Sequence, residues 1–404
     1  MVKMALEAPP TAGLPLAWTD FVRAPREPDL GRALATFLGV DSVGVACSGT
    51  ASLIVTLETL KRRSSRRTVV VPAYTCPLVP LAVAQVGLHV RLCDLSADRF
   101  DFDPERLAEM CDGDTLAVLP THLGGMAANL EPVLEIAARA GAYVVEDAAQ
   151  ALGASWHGRP AGTIGDIGVY SLSRGKGLTV YEGGFWVARD PELSAAITRT
   201  ADALMPFRVG IEVVRIVQLL GYRLLYNPVG LRLAYGIPLR RALARGDLLR
   251  AVGDDYRSAI PLHRMSAWRQ RIGASALARL PSALAANARR GRVRAAELRQ
   301  IPGIEVVDEL PETAGTFPFL MVLTDSSEKR DHILDRLWNE AIGVNRLFLH
   351  DLTAYDYLER IVPRAEMRNA RSFAERSLTI SNSEHVSEET FRRIRDTIAL
   401  AVAA

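Results

Sequence analysis

Cysteine is scarce, and its scatter excludes two kinds of protein. The 404-residue chain has four, Cys47, Cys76, Cys93 and Cys111, with no CxxC pair and no histidine nearby at zinc spacing. A disulfide-stapled scaffold and a zinc module both lack material, and reduced thiols in a cytosolic protein are the expectation. An excess of charge is missing too. The 48 Lys and Arg against 46 Asp and Glu leave a formal net charge of +2, which gives no reason to expect nucleic-acid binding. No uncharged apolar run is long enough to cross a bilayer. The opening MVKMALEAPPTAGLPLAW lacks the continuous apolar stretch of a signal peptide, so a cytoplasmic location is expected. Neither internal repeats nor low-complexity tracts occur. What is there is ordinary for a soluble globular protein, 49% hydrophobic and 23% charged, at a length that suits one large domain plus a smaller one.

Hydrophobic patterning divides the chain. Residues 1–25 are proline-rich and read as an extended arm. Residues 26–265 read as a large domain. Within it, the short apolar runs VGVA, TVVVPA, HVRLCD, TLAVLPTH and AYVVED alternate with helices over Glu27–Leu38, Thr50–Lys61, Pro77–Val86 and Leu130–Ala140. That alternation predicts a mostly parallel sheet covered on both faces. From Arg264 the pattern is helical. After about Ile301 it alternates again, so residues 266–404 read as a smaller C-terminal α+β domain. In a sheet of this kind ligands bind beyond the carboxyl ends of the strands. Ser48–Thr50, Tyr74–Cys76, His122 and Asp147 all fall there.

Those residues suit a cofactor with a phosphate, a ring nitrogen and an aldehyde. A phosphate favours a helix start, where free N–H groups and the helix dipole attract an anion. Ser48-Gly49-Thr50 offers one, although an ordinary helix cap has the same appearance. A pyridine nitrogen kept protonated needs a carboxylate, and Asp147 ends a buried strand. An aldehyde needs an amine, and Lys176 lies between two glycines on the loop joining IGVY to FWVA. Each feature alone has a bland explanation. Together they specify pyridoxal 5'-phosphate far better than any one of them alone.

The motifs SGTAS, PAYTCP, THLGG, EDAAQALGA and SLSRGKGLTVYEGG, in that order, resemble the DegT/DnrJ/EryC1/StrS aminotransferases, with RMS and LHDLTAY extending the likeness toward the C-terminus. The resemblance implies fold type I, a three-layer sheet, and a homodimer with shared active sites. It implies transfer of an amino group from a small-molecule donor, glutamate, to a keto acceptor, a nucleotide-linked keto-sugar. It further implies that Lys176 forms the Schiff base and shuttles protons, that Asp147 pairs with the ring nitrogen, and that Gln150 bonds the ring hydroxyl. Gly49, Thr50 and Ser171 then hold the phosphate, and the Pro72–Pro77 stretch lies over the ring. Cys76 stands where the family has an aromatic residue, so either Cys76 or Tyr74 faces the ring. The family's SFHPTKN reads SLSRGKG here, and its asparagine before the RM pair is Leu262, a loss that Arg174 is placed to offset.

The chain is longer than is usual for that family between Gly184 and Arg264, with a helical insert over about 205–250. Its helix VGIEVVRIVQLLGYRLLY has a wide apolar face and a narrow stripe of Glu212, Arg215, Tyr222 and Arg223. From Val213 to Gly246 there are six arginines and no acidic residue. Such a surface suits a peripheral membrane contact, a hydrophobic or carrier-linked acceptor, or a dimer mate. Two other readings of the whole chain are a lyase, against which the presence of Lys176 argues, and a non-catalytic regulatory protein on the same fold.

Overall fold

Valine-rich runs form the strands at the centre of the structure. The computed structural model describes residues 7–256 and 259–403, so the first six residues of the arm lie outside the description. The main sheet contains β1 (Gly44–Ala46), β2 (Thr68–Pro72), β3 (His89–Cys93), β4 (Thr115–Val118), β5 (Tyr143–Asp147), β6 (Ile167–Ser171) and β7 (Gly184–Ala188). Its order is β1-β7-β6-β5-β4-β2-β3. Strands β2 to β6 are parallel, and β7 is antiparallel to both its neighbours. Every residue of β2, β4 and β6 is buried, as a sheet covered on both faces requires. The chain leaves β2 for β3 on one side and returns to β4 on the other. That reversal opens a crevice beyond the carboxyl ends of β2 and β4.

Helices form the two outer layers. They are α1 (Leu30–Leu38), α2 (Gly49–Arg63), α3 (Leu78–Gln85), α4 (Pro104–Met110), α5 (Glu131–Ala140) and α6 (Pro191–Leu204). Helix α2 packs on β1, β6 and β7 and touches α3 and α6, whereas α4 and α5 pair on the opposite face against β3 and β4. Helix α1 starts where the Asp29 side chain accepts from Arg32 N–H and stops at Gly39, whose φ is +67°.

The insert follows as α7 (Val209–Leu225), a turn capped by Asn227, and α8 (Ile237–Ala244). Helices α9 (Ala267–Leu277) and α10 (Leu280–Leu298) then lead away, α9 against α1 and α10 against the second sheet. That sheet is antiparallel, with β8 (Ile304–Val306), β9 (Phe319–Thr324), β10 (Val344–Asn345) and β11 (Ser377–Ser381) in the order β8-β9-β11-β10. Helices α11 (Ser327–Leu337), α12 (Arg368–Arg376) and α13 (Glu388–Ala403) accompany it.

One expectation changes, and one left open is narrowed. The arm is not extended throughout, because Trp18–Val22 forms a short helix whose Asp20 carboxylate accepts from Ala17 N–H at 2.7 Å and from Arg279 at 2.5 Å. The polar stripe of α7 faces the protein, and much of its apolar face is exposed. Glu212 is buried with Arg269, whose Nε donates to Glu212 Oε2 at 3.0 Å, and Ser266 N–H donates to the same oxygen at 2.8 Å. Burial alone would raise the Glu212 carboxyl, yet hydrogen bonds from His263 and Arg269 hold it well below the usual carboxylate range. An ion pair already inside must bring its helix face with it, so the valines point outward.

Candidate active site

Lys176 sits on a loop, Leu172 to Gly183, that leaves β6 and returns as β7. The loop closes on itself: Lys176 N–H donates to Ser173 O at 3.2 Å and Arg174 N–H to Tyr181 O at 3.1 Å. The N-terminal arm straps it from outside. Thr11 Oγ1 donates to Gly175 O at 2.8 Å, Leu14 N–H donates to Gly177 O at 2.9 Å, and Ala12 N–H reaches Pro318 O at 2.7 Å. Gly175 has φ +75°, and a Cβ there would lie 2.4 Å from Thr11 Oγ1. Most of these bonds use the main chain, which leaves no mark in composition, so the strap was not legible beforehand.

Inside the loop, three predicted residues share one electrostatic neighbourhood. Burial lowers the Lys176 ammonium below its usual 10.5, with Cys76 and Asp147 pulling the other way. Burial raises the Asp147 carboxyl above its usual 3.8, opposed by Ala149 N–H, Lys176 and His122. Asp147 Oδ1 accepts from Ala149 N–H at 3.0 Å, and its other oxygen accepts no hydrogen bond among the described residues. The strand end itself is fixed, because Asp147 N–H donates to Pro120 O at 2.8 Å and His122 N–H donates to Asp147 O at 3.0 Å. His122 is locked in turn: Nδ1 accepts from Ala128 N–H and Nε2 donates to Glu146, both at 2.9 Å. Glu146 also accepts the N–H groups of Gly162, Ile164 and Gly165, which hold the connection from β5 to β6.

Tyr74 and Cys76 point in different directions. Tyr74 is fully buried toward the second sheet, its ring 5.3 Å from Phe348 and 5.1 Å from Phe373. Cys76 belongs to the Lys176–Asp147 neighbourhood, and burial pushes its thiol up to about 12, so it stays protonated and serves as a soft packing group. Tyr256, which the sequence reading did not single out, turns its hydroxyl to Cys76.

The anion end lies at the start of α2. Ser48 Oγ accepts from Ala51 N–H at 3.0 Å. The N–H groups of Gly49 and Thr50 have no acceptor among the described residues, as a first helical turn allows. A Cβ on Gly49 would approach Ser171 Cβ to 3.0 Å, so glycine lets the helix end meet β6. Ser171 Oγ is 3.1 Å from Ser173 Oγ. Gln150 Oε1 accepts from Gly124 N–H at 3.1 Å, leaving its amide NH2 to donate.

A chain of rings links the lysine loop to the insert. The Arg174 guanidinium lies 5.1 Å over Tyr181, and rings follow from Tyr181 to Tyr222 at 6.3 Å, to Tyr226 at 5.1 Å and to His385 at 5.5 Å. Tyr222 and Tyr226 come from the inner face of α7 and the residue that ends it, so the insert borders the site.

Free helix-end N–H groups match a phosphate. A buried, half-satisfied carboxylate matches a protonated ring nitrogen. A desolvated amine matches an aldehyde. The residues therefore fit pyridoxal 5'-phosphate.

Comparison with known proteins bears on the same residues. The model of the DegT/DnrJ/EryC1/StrS aminotransferase family matches residues 18–206 and 256–399, leaving the insert outside the match. GDP-perosamine synthase of Caulobacter vibrioides is 31% identical over 164 residues, 41% of this chain and 44% of that one. A dTDP-3-amino-3,4,6-trideoxy-alpha-D-glucose transaminase of Streptomyces venezuelae is 27% identical over 82% of this chain and 75% of its own. The first curated relatives are matched over only about a third to under a half of their length. In shape, the crystal structure of DesI with its TDP-sugar product superposes with a TM-score of 0.75 at 21% identity, covering 98% of this chain and 93% of that one. The fold is that of fold type I aminotransferases, and the chain belongs to the DegT/DnrJ/EryC1/StrS aminotransferase family.

Proposed function

We propose that the chain is a pyridoxal-phosphate-dependent aminotransferase. It moves an amino group from an amino acid, glutamate, to a keto-substrate, a nucleotide-linked keto-sugar. The observation that carries this reading is the pairing of a desolvated Lys176 with a buried, half-satisfied Asp147 beside the open helix end at Gly49–Thr50. The sugar-acting relatives support the acceptor class.

When bound, pyridoxal phosphate supplies an aldehyde for the amino group and an electron-withdrawing ring. The chain supplies the rest. Gly49 and Thr50 N–H and the Ser171 hydroxyl bind the phosphate. The Asp147 carboxylate holds a proton on the ring nitrogen, and the Gln150 amide orients the ring hydroxyl. Cys76 and Tyr256 cover one side and exclude water. Lys176 Nζ takes a proton from the donor carbon and returns one to the acceptor carbon. Borohydride reduction of the loaded protein, followed by peptide mapping, should place the label on Lys176. A label elsewhere, or a colourless protein after soaking with the cofactor, defeats the proposal and leaves the regulatory reading.

The same reading includes a cytoplasmic homodimer, and an arm over 1–25, a large unit over 26–265 and a small one over 266–404. A hydrophobic or carrier-linked acceptor is the second reading. It is favoured by the insert, whose inner face borders the site while its outer face is apolar and suits a peripheral membrane contact. Turnover with nucleotide-linked but not lipid-linked keto-sugars would decide for the first.

A further inference from the structure

Helix α7 is turned inside out. Its inner face carries Glu212, Arg215, Leu219 and Tyr222. Its outer face carries Val209, Val213, Val214, Val217, Leu224 and Leu225, and Val213, Val217 and Leu224 are 53%, 62% and 59% exposed. Exposed Val229 and Leu233 continue the strip beyond the Asn227 turn. No charged side chain falls within the outward arc, and an apolar strip of this width is not stable in water.

Charge decides what covers it. Of the six arginines between Val213 and Gly246, Arg215 pairs with Glu182, Arg240 with Glu7, and Arg223 lies 4.7 Å over the Trp18 ring. Arg232, Arg241 and Arg245, with Arg208 at the start of α7, are exposed and have no ion-pair partner among the described residues. A second copy meeting this face about a two-fold axis would set arginine against arginine, with no carboxylate between 213 and 246 to receive either. The counterpart has to be apolar and negatively charged at once. Among the described residues no helix is long and apolar enough to cross a membrane, so α7 lies on a surface rather than through it.

We propose that the outer face of the insert docks on an anionic lipid bilayer, with the valine and leucine strip in the headgroup region and Arg208, Arg232, Arg241 and Arg245 against lipid phosphates. This deepens the peripheral contact of the proposed function. It rests on the fold and not on amino transfer, so the two fail separately.

The test is flotation of the purified full chain, incubated with pyridoxal phosphate, with phosphatidylcholine vesicles that contain or lack phosphatidylglycerol. At low salt the protein should float with the anionic vesicles and not with phosphatidylcholine alone, and salt should release it. Val213→Asp with Val217→Asp, and separately Arg241→Ala with Arg245→Ala, should lower the bound fraction about tenfold or more. Neither pair touches the site, so an unchanged cofactor spectrum reports an intact fold. Failure of the unaltered protein to float with anionic vesicles overturns the proposal, as does undiminished flotation of the aspartate variant. Conversion of a dimer to a monomer by that variant in sedimentation velocity overturns it in favour of a second copy.

Discussion

Asp147 and Lys176 are each held in surroundings that disfavour their charged forms, and two predictions follow from that. Asp147→Asn keeps the shape of the strand end and its bond to Ala149 in reach but removes the charge that holds a ring proton. Amino transfer should fall by about 10²-fold or more, read from single-turnover kinetics, with an unchanged melting profile. Near-normal turnover would falsify the role. Lys176 has its pKa lowered, so below that value it is protonated and does not attack an aldehyde. Cofactor uptake, followed by absorbance, should therefore rise with pH and level off below 10.5. A rate still climbing past 10.5 would mean an ordinary surface lysine. Both residues were legible because each sits at a point the strand pattern marks. Tyr74 and Cys76, two positions apart in one short loop, were not separable: the direction of a loop side chain is set by Phe348 and Phe373, far along the chain.

Helix α7 shows what periodicity can and cannot say. A 3.6-residue pattern locates the helix and its two faces, and the structure gives Val209–Leu225 where the pattern put it. Which face meets the protein depends on Arg269, and nothing near Glu212 in the sequence announces that partner. Removing one member of a buried pair leaves the other uncompensated. Glu212→Ala should cost about 3–5 kcal/mol in urea unfolding, whereas Glu212→Leu together with Arg269→Met should recover most of it. An equal loss in both would show that the pair itself, not an orphaned charge, sets the stability. The arm makes a parallel prediction. Deleting residues 1–16 removes the Thr11 and Leu14 bonds to the lysine loop, each worth about 1 kcal/mol. Cofactor affinity, measured by equilibrium dialysis, should weaken several-fold while the far-ultraviolet circular dichroism stays the same. Unchanged affinity would mean that the loop holds its own shape.

At the scale of the whole molecule, the family membership directs attention to a partner subunit. An obligate homodimer should bury more than about 2,000 Å² and survive dilution. Light scattering that shows an active monomer at micromolar concentration would contradict it. The N-terminal arm has a further consequence, one of mechanics. From Glu7 to Leu14 it is bonded in turn to Arg240 of the insert, to Ala341, to Gly175 of the lysine loop, to Pro318 beside the second sheet, and to Gly177 of the lysine loop. Parts of the chain hundreds of residues apart are thus sewn together by one thread. A pull on the N-terminus would undo the stitches in order, insert first and lysine loop last, before the seven-stranded sheet bore any load.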